Sequence, residues 1–431
     1  MSATRFGTLA LAAALLAGTA DAALLEAEKK IAGAVDAAVP EGLALLERAV
    51  NVNSGTMHFE GVREVAELFA PELRKLGFAT QWVNGAAWER AGHLLADREG
   101  AAGGKHVLLI GHLDTVFEPD SPFQRFAALS DSMARGPGII DMKGGIVVML
   151  LALRALAGNG ALDELSIEVV LTGDEEKSGR PLALARQHLM EAGERADVAL
   201  GFEDGDGDPR HAVTARRGAE RWTLRTAGKP AHSSLVFRED VGSGAIYEAA
   251  RILAAFHDEL GGEEHLTLNP GVVVGGTSIL FDEDQARGTA FGKVNVVAES
   301  TFVSGDLRAL TVEQRDRAVT AMRRIVSEHY PHATAEIVFD EGYPPMAPSP
   351  GNVQLLELLS AASRDLGLGP VDAVNPAKAG AADISFIAAD VDMALDGLGL
   401  RGKGGHTMEE TADLRTLASQ AKRIAILLYR L

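Results

Sequence analysis

The sequence predicts an α/β protein: a larger αβα sandwich built on a mainly parallel sheet, interrupted by a smaller inserted α+β domain. Three observations carry this reading. From about residue 40 to 200 apolar strands alternate with helical periods, after Thr214 the order changes to β-α-β-β-α-β, and from Gly342 the first pattern resumes. Strands that are apolar on both faces and separated by helices form parallel sheets buried between helix layers. The order β-α-β-β-α-β is that of a ferredoxin-like sandwich.

The elements follow in chain order. The opening residues, MSATRFGTLALAAALLAGTADA, carry Arg5, an apolar run too short to span a bilayer, and Ala20-Asp21-Ala22, a small-residue cleavage pattern. This is the make-up of a secretory signal peptide over residues 1–22. The mature chain is therefore expected to start near Ala23, to lie outside the cytoplasm, in a bacterial periplasm, and to hold no membrane span. An amphipathic helix is predicted around 62–76, then a strand at KHVLLIGHLDTVF, a helix at GGIVVMLLALRALAG and a strand at SIEVVLTGDEE. These belong to the first part of the sandwich, 23–214. The insertion, 215–341, reads as strand RGAERWTLRTAG, helix GSGAIYEAARILAAFHDEL, two strand-like stretches LTLNPGVVVGGT and NVVAESTFVSGDLRAL, helix TVEQRDRAVTAMRRIVSEHY and strand TAEIVFDE. The rest, 342–431, returns through YPPMAPSP, a helix near 351–366, a strand DMALDGLGL and a last helix from about 412.

Composition narrows the chemistry. With 431 residues, 47% of them hydrophobic, the chain can bury a sizeable core in more than one domain. Its 60 acidic against 41 basic side chains give a net charge of -19, which repels a phosphate backbone and speaks against a nucleic-acid partner. There is no cysteine, so disulfides, thiolate metal sites and a cysteine nucleophile are excluded. Any metal must sit on His, Asp and Glu.

Five short patches hold such residues: GHLDTVF at 111–117, GPGIIDMKGG at 136–145, TGDEEKSG at 172–179, GFEDG around Glu203 and GGHTMEE around His406. In an extended strand His112 and Asp114 point the same way, so one can ligate a cation while the other holds the second imidazole nitrogen. Asp141, in a Gly-rich turn before a helix, offers two oxygens that can bridge two cations. Glu175 and Glu176 repel each other unless a cation or a shared proton relieves them. Singly, each patch is ordinary. Together they fall beyond the carboxyl ends of strands, where open α/β sheets bind their ligands.

These patches, with FED and GKPAHSS, resemble in order and spacing the zinc aminoacylase and carboxypeptidase family that includes glutamate carboxypeptidase, succinyl-diaminopimelate desuccinylase and tripeptide aminopeptidase. The resemblance covers almost the whole mature chain. It implies a phosphorylase/hydrolase-like catalytic domain, an inserted dimerisation (lid) domain and two Zn2+ per subunit. His112, Asp141 and Glu203 would hold one zinc, and Asp141 as bridge, Glu176 and His406 the other. Glu175 matches the general base, Asp114 would support His112, and the peptide Asp141-Met142 would be cis. A Glu at 203 rather than an Asp fits the glutamate carboxypeptidase and desuccinylase branch. His232 would enter the partner's site in a homodimer and stabilise the oxyanion. Asn295 and Arg308 match positions that bind the substrate's terminal carboxylate, a task for which the two parallel donors of Arg are suited. One departure stands out: Gly380, Ala381 and Ala382 precede Asp383 where many members carry a hydroxyl-bearing loop, so a hydroxyl contact is lost while the backbone amides remain. Lys378 adds a cation there, a type of residue usually left solvated.

The implied activity is that of a metallo-exopeptidase cutting an amide bond next to a free carboxylate, a carboxypeptidase for acidic residues such as Glu or Asp. An N-acyl-amino-acid deacylase would use the same site. From another class, a secreted solute-binding protein also joins a signal peptide to two lobes, although pure binding has no use for a base such as Glu175 beside two metals.

Overall fold

The computed structural model describes residues 24–282 and 286–431, and the signal-peptide expectation for 1–22 lies outside them. Six strands form the larger sheet, in the spatial order Ala79–Asn84, Gly92–Arg98, Ser166–Thr172, His106–His112, Val198–Gly201, Met393–Leu395. The last four run parallel and the first two join antiparallel at one edge. Side chains alternate across a strand. Val107 and Leu109 therefore enter one core with Val169 and Leu200, whereas Leu108 and Ile110 enter another with Val170 and Ala199. That is why these strands are apolar at nearly every position.

The first core is closed by helices Glu26–Val50, Phe59–Lys75, Gly144–Gly158 and Arg415–Arg430, which contribute Leu46, Phe69, Leu150 and Ile424. The second is closed by Leu189 of helix Gln187–Gly193 and by Ile384 and Ile387. Helix Gly144–Gly158 lies between the sheet and two other helices, and Ile146 through Leu153 are all buried. A helix enclosed on all sides needs apolar residues all round.

The inserted sheet has the order Thr267–Gly276, Ser300–Arg308, Glu220–Gly228, Ala333–Phe339, antiparallel throughout. Helices Ala245–Leu260 and Val312–Ser327 cover one face around Trp222, Leu224, Ile252, Phe256, Val303 and Met322. A hairpin, Ser278–Asp282 with Arg287–Phe291, adds to the β-α-β-β-α-β order read from the sequence.

The structure differs from the sequence reading in several elements. Strands expected to run to Phe117 and Glu176 stop at His112 and Thr172, because the backbone then turns away: Leu113 N donates to Thr172 O at 2.7 Å and Thr115 N to Ser54 O at 2.9 Å. The stretch from Asn295 becomes strand only at Ser300. Helix Glu26–Val50, the hairpin Ala79–Asn84 with Gly92–Arg98, and a small sheet of Ala127–Ala128, Met133–Arg135, Gly402–Lys403 and Thr411–Asp413 were not anticipated. Among the described residues no helix is long and apolar enough to cross a membrane.

Candidate metal centre

Each candidate ligand sits where a regular element ends. His112 is the last residue of its strand, Glu175 and Glu176 follow Ser166–Thr172, and Glu203 follows Val198–Gly201. Asp141 lies in a tight turn, Ile139–Lys143, directly before the helix that starts at Gly144, and the Asp141-Met142 peptide is cis. His406, with φ 62, occupies the loop between strands Gly402–Lys403 and Thr411–Asp413.

These residues converge. His112, Asp141 and Glu203 form one group whose ligand atoms lie within 4.8 Å of one another, and Asp141, Glu176 and His406 form a second. Asp141 serves both: its Oδ1 is 3.0 Å from His112 Nε2 and its Oδ2 is 2.8 Å from His406 Nε2. Glu203 Oε1 lies 3.6 Å from His112 Nε2, and Glu176 Oε2 lies 3.1 Å from His406 Nε2.

Three buried carboxylates bracket the ligand loops by accepting backbone N–H groups. Asp114 Oδ1 and Oδ2 each accept, at 3.1 Å, from the N–H of Glu175 and of Glu176, and Thr56 Oγ1 donates to Oδ2 at 2.6 Å. Glu410 accepts from Gly138 and Ile140 at 2.9 Å and from Asp141 at 3.3 Å. Asp396 accepts from Glu203 N at 3.3 Å and from Arg216 Nε at 2.8 Å. Asp114 also lies against the second ring nitrogen of His112. The nearest partner of His112 Nδ1 is the Asp114 backbone oxygen at 3.0 Å, with the carboxylate Oδ1 at 3.4 Å, because the strand has ended at His112 and the side chain turns toward the Glu175 loop.

A further layer supports that loop. Fully buried Arg186 donates to Asp174 Oδ1 at 2.6 Å, to Asp383 Oδ1 at 2.8 Å and to the Tyr343 hydroxyl at 2.7 Å. The Tyr343 hydroxyl lies 3.0 Å from the Glu175 carbonyl oxygen. Sequence reasoning missed Asp396, Glu410, Arg186, Asp174 and Tyr343. Asp174 and Glu410 lie inside the patches TGDEEKSG and GGHTMEE, and the signal for Asp396 was a lone charge in the apolar stretch MALDGLGL.

The electrostatics of the cluster suit it to cations. Burial first, then the charges of Glu203, Asp383 and Glu176, push Glu175 well above the usual carboxylate range, although His112 pulls the other way. Burial likewise raises Glu203 and Glu176. Asp141, in spite of burial, is lowered by its bonds to His112 and His406. His406 is raised to about 11 by Asp141 and Glu176. So many anions in one buried place are mutually unfavourable, and divalent cations relieve the repulsion directly. Glu176 Oε2 faces His406, and its Oε1 is buried without a hydrogen-bond partner. The donor set of two imidazoles and three carboxylates fits two borderline-hard divalent metals.

The other sequence-derived candidates lie in two separate places. His232 and Asn295 are neighbours: His232 pairs with Val296 across an isolated bridge, and Ser233 N donates to Asn295 O at 2.9 Å. The His232 ring is exposed, its Nδ1 2.8 Å from Ser234 Oγ, and no hydrogen bond or ion pair joins it to the metal ligands among the described residues. Arg308 lies at the opposite end of strand Ser300–Arg308, which at ~3.3 Å per residue is roughly 26 Å long. Asn295 and Arg308 therefore do not meet within a single chain, so a carboxylate held by both would have to receive one of them from another subunit. Gly380 does lie beside Arg308: a Cβ at 380 would stand 3.8 Å from Arg308 Nη1. Lys378 is exposed, with no side-chain partner among the described residues.

Fold and site together are those of a metallohydrolase with a carboxylate shared by two ligand groups. The chain belongs to the peptidase family M20/M25/M40, whose profile matches residues 108–430. It is 26% identical over 400 residues to carboxypeptidase G2 of Pseudomonas sp. (strain RS-16), covering 92% of this chain and 90% of that protein. It is 30% identical over 209 residues to succinyl-diaminopimelate desuccinylase of Methylocella silvestris, covering 45% of this chain and 51% of the relative. Among solved structures, aminopeptidase PepT from Bacillus cereus shares the fold with TM-score 0.72 at 19% identity, over 91% of this chain and 98% of that one.

Proposed function

We propose that this protein is a two-zinc hydrolase that cleaves an amide or peptide bond next to a free carboxylate, acting as a carboxypeptidase on acidic C-terminal residues. The observation that carries the reading is Asp141 shared between two ligand groups with Glu175 half-buried beside them. Likeness to carboxypeptidase G2 over nearly the whole chain supports the carboxypeptidase side. Partial likeness to desuccinylases supports a second reading, an N-acyl-amino-acid deacylase with the same site.

His112, Asp141 and Glu203 would hold one metal, and Asp141, Glu176 and His406 the other. When bound, such a pair supplies Lewis acidity that makes a water nucleophilic at neutral pH and polarises a scissile carbonyl. Glu175 takes the proton from the attacking water and delivers it to the leaving nitrogen. Asp114 keeps Glu175 and Glu176 in register by holding both backbone N–H groups. Arg308, with Gly380, receives the terminal carboxylate. His232 and Asn295 act from the other subunit of a homodimer, His232 stabilising the oxyanion. The location of His232 and Asn295 far from Arg308 in one chain supports this exchange.

Metal analysis of purified protein together with turnover of C-terminal Glu and Asp peptides and of N-acyl amino acids tests the reading. Two equivalents of zinc and peptide cleavage are expected; protein free of tightly held metal, or inert on both substrate sets, would refute it. Secretion is proposed on the strength of residues 1–22, with Ala23 as the expected N-terminus on sequencing; an intact Met1 on cytoplasmic protein would contradict it.

A further inference from the structure

At the seam between the two domains three arginines gather around one short loop. Arg216 and Arg217 lie on the segment that leaves the sandwich domain, Arg308 ends strand Ser300–Arg308, and the loop is 377–380. Arg216 is neutralised: its Nε donates to Asp396 Oδ2 and its Nη1 to the Gly380 carbonyl, both at 2.8 Å. Arg308 is partly neutralised by Asp306 Oδ2, 2.8 Å from its Nε.

Arg217 differs from both. Its partners are neutral oxygens: Nη1 donates to Thr267 Oγ1 at 3.2 Å and Nη2 to the Ala377 carbonyl at 3.1 Å. Its Nε is buried and has no hydrogen-bond partner. Thr267 pairs across the sheet with Arg308, so the two side chains meet at the same point from different segments. Burial and then the Arg308 charge lower the pKa of Arg217, with Asp306 opposing. Two neighbouring cations, one with an unused buried donor, form a place where a second anion gains a charge-assisted hydrogen bond and relieves a repulsion.

We propose that Arg217 receives the side-chain carboxylate of the residue whose terminal carboxylate is held by Arg308, so that it selects dicarboxylic over neutral C-terminal residues. This rests on the carboxylate-end reading given above and names the residue that sets its charge preference. Arg217 supplies the geometry a carboxylate requires, a planar guanidinium with an unpaired donor, and its bonds to the Ala377 and Ala379 carbonyls hold it on the loop whose Gly380 lies against Arg308.

The test compares ligands that differ only in charge. Holoenzyme should cleave a peptide ending in Glu with a kcat/KM at least about 10-fold above the same peptide ending in Gln, and should bind L-glutamate at least about 10-fold more tightly than L-glutamine in calorimetry. Arg217→Gln should bring both ratios to within about 2-fold, with the loss falling on KM for the Glu peptide, and Arg217→Lys should retain part of the preference. A Glu-to-Gln ratio that survives Arg217→Gln overturns the proposal, whatever happens to the absolute rates. So does a wild-type holoenzyme that binds the two amino acids equally, a result that requires no variant to fold. Glutamate selectivity that depends on Arg217, in an enzyme that cleaves neither C-terminal peptides nor N-acyl amino acids, would instead sink the proposed function while leaving this assignment in place.

Discussion

In the sandwich domain, the loops carrying Glu175, Glu176, Asp141 and Glu203 are each held by a buried carboxylate, Asp114, Glu410 or Asp396. In the inserted domain, His232 is exposed and its ring is hydrogen-bonded to Ser234, and Arg308 is bonded through Nε to a similarly accessible Asp306. The first arrangement fixes ligand atoms before a metal arrives, as outer carboxylates do in metal sites generally. The second leaves donors uncommitted. A half-site with satisfied backbone and crowded anions calls for cations, whereas one with free donors on an open surface calls for a substrate or another subunit.

The contrast can be broken by substitution. Glu175→Gln should lower kcat by roughly 10³-fold or more while both metals stay bound, since Glu175 moves protons and Glu176 holds metal; loss of a metal equivalent on this change would reverse the two roles. His232→Ala should keep the metals and the fold but lose about 10²–10³-fold in kcat. Mixing His232→Ala with Glu175→Gln should restore activity after subunit exchange, because one site of the heterodimer is then intact; mixtures as inactive as their parents would confine each site to one chain. Glu410→Ala removes the acceptor of three backbone N–H groups and should weaken metal binding about 10–100-fold, read by competition with a chelator. Unchanged affinity would show that the Asp141 turn holds itself. At the small end, Lys378→Ala should alter kcat/KM by less than about 2-fold, as expected of a solvated side chain.

Much of this was legible in the chain. The strands apolar on both faces announced a parallel sheet, and GGIVVMLLALRALAG gave the buried helix to the residue. The six candidate ligand and base residues fall together because they stand at strand ends, in the loops that follow strands or before a helix, and such positions are visible as motifs. What escaped was either local and weakly patterned or non-local. The two-residue strands Ala127–Ala128 and Gly402–Lys403 have no period to read. Arg186 meets Asp383 across 197 positions and Glu410 reaches Gly138 across 272, pairings that no spacing rule encodes. The separation of Asn295 and Arg308 within one chain was hidden for a related reason: they are close in sequence, yet a whole strand stands between them.

The inserted domain is joined to the sandwich by two segments that cross as a ribbon. Arg216 and Met346 exchange backbone hydrogen bonds of 2.9 and 3.0 Å, and Ala219 and Tyr343 exchange bonds of 3.0 and 2.9 Å. Sliding one segment past the other would break all of these, whereas flexing the ribbon as a unit breaks none, so the joint favours rotation over shear. Arg217 sits on the pivot and stays near the sandwich whatever the angle, while His232 lies at the tip of a long arm. With a lever of roughly 26 Å set by the strand length, a rotation of about 10° carries the tip through roughly 4–5 Å. The same small swing thus leaves Arg217 almost in place and sweeps His232 through more than the length of a hydrogen bond.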